Sequence, residues 1–130
     1  MTYSKGVFWE RELIAYLTGQ GFSTARVAGS GHNTPADILA VRRGLVLAIE
    51  CKAHANRPRL PADRVAELRA WCEQAGAHGF LAWRAPRQDW LFLPMHALAE
   101  SDYATEKWIR KDAWLAALIP GSEVAPPTSD

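Results

Sequence analysis

The stretch PADILAVRRGLVLAIECKA, residues 35–53, constrains the fold more than any other part of the chain. ADILAVRR reads as one strand and VLAIECKA as the next, with Gly44 and Leu45 at a tight turn between them, which is a hairpin pattern. A hairpin this apolar must be covered on its faces. RPRLPADRVAELRAWCEQAGA, which follows, begins as a loop and becomes a helix. Pro61 falls at the first turn, Asp63 is near the start and Gly76 is at the end. Val65, Leu68, Cys72 and Ala75 share one face at helical spacing. HGFLAWRA and DWLFLP are two further strands joined by PRQ. A helix between the third and fourth strands requires a crossover, and so some parallel pairing. Upstream, KGVFWERELIAYLTGQG reads as a helix with Val7, Leu13, Ile14 and Leu17 near one stripe, and FSTARVA as a short strand. The expected fold is α/β, a central mixed five-stranded sheet flanked by helices. After Pro94 the pattern weakens: MHALAES suggests a helical turn, TEKWIRK a strand and DAWLAALIPG a closing helix.

With 130 residues, 48% of them hydrophobic and 22% charged, one domain with one core is expected, spanning residues 1–120. GSEVAPPTSD, residues 121–130, has little to bury and reads as a flexible tail. Six tryptophans are many for this length and belong in the core or at an interface. The formal net charge is only +1, so any basic surface must be local. The N-terminus lacks the apolar segment of a signal peptide, and no run reaches the length of a membrane span. A cytoplasmic protein is expected, without a membrane partner. Cys51 and Cys72 lack CxxC spacing and are expected to be reduced.

Asp37, Glu50 and Lys52 stand beside these apolar runs, where an unpaired charge is unfavourable. Side chains alternate along a strand, so Glu50 and Lys52 point one way and Cys51 the other, towards the core. Asp37 begins the preceding strand, a hairpin away, and can converge with them at one sheet end. Asp37, twelve residues, then Glu50-Cys51-Lys52 is the D…ExK arrangement of metal-dependent nucleases. Hard carboxylate oxygens suit Mg²⁺, with Mn²⁺ as a substitute. Such an ion lowers the pKa of bound water and polarises a phosphate. Lys52 can orient water or offset transition-state charge. Two carboxylates about 4 Å apart repel by roughly 4 kcal/mol at an effective dielectric of about 20. Without metal, one of them must hold a proton or the loop must move. The Cys51 backbone carbonyl is a further candidate ligand. An ExK on one strand is equally an ordinary same-face salt bridge.

KGVFWERELIAYL, GFSTARVAGSG, ADILAV and LAIECK, in that order, resemble the archaeal-type Holliday junction resolvase family of the PD-(D/E)xK nucleases, over about residues 5–92. The resemblance implies a restriction-endonuclease-like fold and a homodimer that binds four-way DNA junctions by shape. It implies paired symmetric nicks, because two cuts related by a two-fold axis need two sites related by one. It implies that Glu10 is a third carboxylate, bound to the metal directly or through water. Arg11 and Arg26 would grip phosphates, and Ser30 would lie near the scissile phosphate. Lys5, Arg57 and Arg59, with Arg42, Arg43 and Arg64, could extend a phosphate-tracking surface. Leu68, Trp71 and the late Trp-rich strands are candidates for the dimer interface, with core packing as the other reading of Trp71. His32 and Asn33 carry no assigned role.

Two other functions fit the same residues. A restriction-like or nicking endonuclease would read sequence, but such enzymes need additional segments for base edges. A non-catalytic DNA-binding module would keep the fold and lose the triad, which is intact here. His54, His78 and His96 fall in separate elements and predict no zinc site.

Overall fold

The computed structural model describes residues 5–27 and 35–120; the 121–130 tail, Ser30, His32 and Asn33 lie outside them, as does the side chain of Lys5. Helix α1 spans Lys5–Gly19, α2 Ala62–Ala75, α3 Met95–Ala99 and α4 Lys111–Leu118. Six strands, β1 Ser23–Arg26, β2 Ile38–Arg42, β3 Leu45–Lys52, β4 His78–Trp83, β5 Leu91–Pro94 and β6 Ile109–Arg110, form one sheet in sequence order. Neighbours are antiparallel except β3 and β4, which α2 connects by the expected crossover. The sheet is therefore α/β and mixed, with six strands where five were expected. The sixth is a two-residue edge: TEKWIRK opens as a 3₁₀ turn at Thr105–Lys107, and only Ile109 and Arg110 pair, with Phe92 and Leu91.

The hairpin turn is Arg43-Gly44, both at positive φ, 50° and 87°. A pair of left-handed residues gives the twist that a two-residue hairpin loop needs. Pro61 precedes α2 rather than entering it, and Gly76 closes the helix in the left-handed conformation, φ 69°. On α2, Val65, Leu68 and Cys72 are buried, whereas Ala75 is exposed because the helix is already ending.

Each face of the sheet carries its own apolar layer. Leu13 and Leu17 of α1 and Trp114 and Leu115 of α4 pack with Ile38, Ala40, Leu47, Ile49 and Phe92 on one face. Val65, Leu68 and Cys72 of α2 and Ala97 and Leu98 of α3 pack with Ala48, Leu81 and Leu93 on the other. Period-two alternation feeds both layers, so β3 and β4 read as nearly continuous apolar runs.

Two expectations for the dimer interface are corrected. Leu68 is 1% exposed and belongs to its own chain's core. The late tryptophans are also internal: Trp90 and Trp114 are 1% exposed, Trp108 is buried, and Trp114 stacks on Phe92 with centroids 3.7 Å apart. Trp71 is half-buried against the α2-side layer. Both cysteines are free thiols, as expected.

Candidate active site

The ends of β2 and β3 bring the charged residues together. Asp37 sits in a bend just before β2, and its backbone is held on both sides. Its N–H donates to the Ile49 carbonyl at 2.9 Å, and its carbonyl accepts from the Val27 N–H at 2.8 Å. Its Oδ2 accepts the Cys51 N–H at 2.8 Å. Asp37 therefore grips β3 at residues 49 and 51 and brackets Glu50. The residue before it, Ala36, is buried in the α2-side layer.

Glu50 is the one buried charged side chain among the described residues, 5% exposed. Two cations face it. Lys52 Nζ lies 3.7 Å from Oε2, the same-face ExK contact that alternation requires. Arg64, from the first turn of α2, places NH2 3.4 Å from each carboxylate oxygen. Burial nonetheless raises the Glu50 pKa from 4.5 to about 7; the Asp37 charge adds to the rise, while Arg64 and Lys52 oppose it. Desolvation thus outweighs the two facing cations at this position.

Glu10 comes from the other face, on α1. Its Oε1 accepts from Arg26 Nε at 2.8 Å, which links α1 to the end of β1. Burial raises the Glu10 pKa; the Arg26 hydrogen bond opposes the rise and the Asp37 charge reinforces it. Glu12, two residues on, is engaged elsewhere: Oε1 accepts from Trp90 Nε1 at 2.8 Å and Arg84 Nε at 3.0 Å. The Glu-Arg-Glu motif thus divides into one carboxylate at the site and one that ties α1 to the sheet. The Cys51 side chain packs with the α1-side layer. Burial pushes its thiol well above the ordinary range, and the charges of Asp37, Glu10 and Glu50 push it further. It stays protonated and is no nucleophile.

The expected phosphate-contacting residues divide. Arg11 is exposed on α1 beside Glu10, and Arg26 is at the site edge. Arg57 instead donates to the Tyr103 carbonyl at 2.9 Å and to Thr105 Oγ1 at 2.6 Å. Arg59 lies over the Tyr103 ring, 4.4 Å from its centroid. These two fasten the segment after β3 to the loop before β6. Arg64 is the site residue that pattern reading left among the general basic surface. Its position one turn into α2 carries no local signal; only the crossover brings it over β3.

Among the described residues, no three His, Cys, Asp or Glu side chains form a group that could hold a metal ion by themselves. The donor set at the site is two carboxylates, Asp37 and Glu50, with main-chain oxygen beside them and Glu10 opposite. All are hard oxygens, which suits Mg²⁺ or Mn²⁺.

A mixed sheet crossed by α2, with an Asp before one strand and a Glu-x-Lys ending the next, defines the restriction-endonuclease-like nuclease fold. A family model described as archaeal Holliday junction resolvase (Hjc) matches residues 1–123. The crossover junction endodeoxyribonuclease Hjc of Archaeoglobus fulgidus is 38% identical over 102 residues, covering 76% of this chain and 75% of that protein. The protein of the same name from Methanocaldococcus jannaschii is 35% identical over 81 residues, 62% of this chain and 59% of that one. The crystal structure of Archaeoglobus fulgidus Hjc, titled a Holliday junction resolvase, aligns with a TM-score of 0.66 at 34% identity, covering 85% of this chain and 92% of that one. The chain belongs to the archaeal Holliday junction resolvase family.

Proposed function

We propose that this protein is a crossover junction endodeoxyribonuclease that uses Mg²⁺, or Mn²⁺ in its place, to cut four-way DNA junctions by paired, symmetric nicks. The observation that carries the reading is the convergence of Asp37, Glu50 and Lys52, with Asp37 locked to Cys51 and Lys52 within 3.7 Å of Glu50. Asp37 and Glu50 would hold the divalent ion, with the Cys51 carbonyl as an additional oxygen and Glu10 acting directly or through water. The ion supplies Lewis-acid polarisation of the phosphate and a more acidic bound water. Lys52 orients the attacking water and offsets charge on the phosphorane-like transition state. Asp37, fixed by three hydrogen bonds, keeps its carboxylate in place through turnover. Arg26 orients Glu10 and, with Arg11, holds the DNA backbone. Arg57 and Arg59 support that surface by fixing the segment after β3. The protein acts as a homodimer, because symmetric cuts need two sites related by a two-fold axis. Among the described residues, no helix is long and apolar enough to cross a membrane.

The test is cleavage of a mobile four-way junction beside linear duplex of the same sequence, in Mg²⁺ and in EDTA. Metal-dependent paired nicking of the junction, with duplex spared, is expected. Asp37→Asn is expected to abolish cleavage and leave junction binding nearly intact, since binding rests on phosphate contacts. Equal cutting of both substrates would instead make the protein a general or sequence-reading nuclease. Junction binding without cleavage under either metal would make it a DNA-binding module.

A further inference from the structure

Arg64 lies outside the four motifs that carry the family resemblance and makes a set of contacts of its own. Its guanidinium donates through NH2 to the Pro35 carbonyl at 3.1 Å and faces both Glu50 oxygens at 3.4 Å. NH1 lies 3.6 Å from Glu67 Oε1, one turn along the same helix. The side chain is only 25% exposed. It therefore bridges three elements: the first turn of α2, the segment leading into Asp37, and the buried carboxylate at the end of β3. A guanidinium is always charged and presents donors in a planar fork, which suits a carboxylate and a carbonyl together.

We infer that Arg64 is the resident counter-cation of the metal-free site, holding Glu50 and the Asp37 segment in register by the charge a divalent ion supplies when bound. This rests on the metal reading of Asp37 and Glu50 given above. Two consequences follow from electrostatics alone. A positive charge beside Glu50 opposes a +2 ion more strongly than it opposes a proton or solvent, so Arg64 weakens metal affinity while it stabilises the empty site. Arg64 is held beside the carboxylate by its contacts to Pro35 and Glu67, so a divalent ion enters against a resident positive charge. Lys52 Nζ lies farther from the carboxylate, 3.7 Å from Oε2.

The experiment is Mn²⁺ binding to the full chain without DNA, counted by EPR at pH 8.5, for wild type, Arg64→Gln, Arg64→Lys and Asp37→Asn. Arg64→Gln keeps a donor for the Pro35 carbonyl and removes the charge; it is expected to bind Mn²⁺ about tenfold tighter, equivalent to about 1.4 kcal/mol. Arg64→Lys keeps the charge and is expected to bind within about twofold of wild type. A merely structural role for Arg64 would lower the melting temperature of both variants and leave the affinity unmoved. Unchanged or weaker binding by Arg64→Gln, or equal tightening by Arg64→Lys, overturns the inference while the metal site stands. Wild-type binding that Asp37→Asn does not weaken overturns the metal reading itself, and the role of Arg64 with it.

Discussion

Replacing Glu50 by glutamine is expected to stabilise the metal-free protein above pH 7. Glu50 is 5% exposed, and its pKa rises from 4.5 to about 7, first through burial and then through the charge of Asp37. Between these two values the folded chain binds a proton that the unfolded chain has released, so stability falls as pH rises. The stabilisation is complete below about pH 4.5 and lost above about pH 7. At about 1.4 kcal/mol per pH unit, the interval corresponds to about 3 kcal/mol, or roughly 10 °C in melting temperature for a chain of this size. Glutamine mimics the protonated carboxyl at every pH and escapes the loss. The assay is thermal unfolding in EDTA from pH 5 to pH 9. Wild type should fall towards pH 7 and then level, Glu50→Gln should not share this fall, and the curves should meet at the acidic end. Added Mg²⁺ at pH 8 should restore wild type and leave the variant unmoved. A variant no more stable than wild type at pH 8 would refute the reasoning, because Arg64 and Lys52 would then compensate Glu50 in full.

Arg26→Ala is expected to weaken junction binding and to make the slope of log K against log salt shallower by about one, the signature of one lost phosphate contact. An unchanged slope would leave Arg26 with the orientation of Glu10 as its whole role. Trp71→Ala is expected to shift sedimentation from dimer towards monomer; an unshifted dimer would assign Trp71 to packing within its own chain.

Much of the architecture was legible because it is local. The apolar runs around Arg43-Gly44 specify a hairpin, since period-two alternation and two left-handed residues leave little else. Gly76 ends α2 for the same kind of reason. Where signals were short the reading lost resolution: Ile109 and Arg110 become a strand only because the edge of β5 is there to pair with. The interface expectation for Leu68 failed because helical spacing says which face is apolar and not what covers it; the sheet of the same chain does.

At the site, the sequence by itself determined which charged groups of the hairpin meet. Asp37 immediately precedes β2, and Glu50 and Lys52 end β3 of the same hairpin, so their convergence follows from alternation and turn length. Only the tertiary structure decided the electrostatics. It divided Glu10 from Glu12 by giving one to Arg26 and the other to Arg84 and Trp90. It drew Arg57 and Arg59 to the Tyr103 loop and set Arg64 against Glu50. The physical reason is range: hairpin pairing and helix capping act between near neighbours in sequence, whereas burial and the partner of a long charged side chain depend on which distant element the crossover brings alongside.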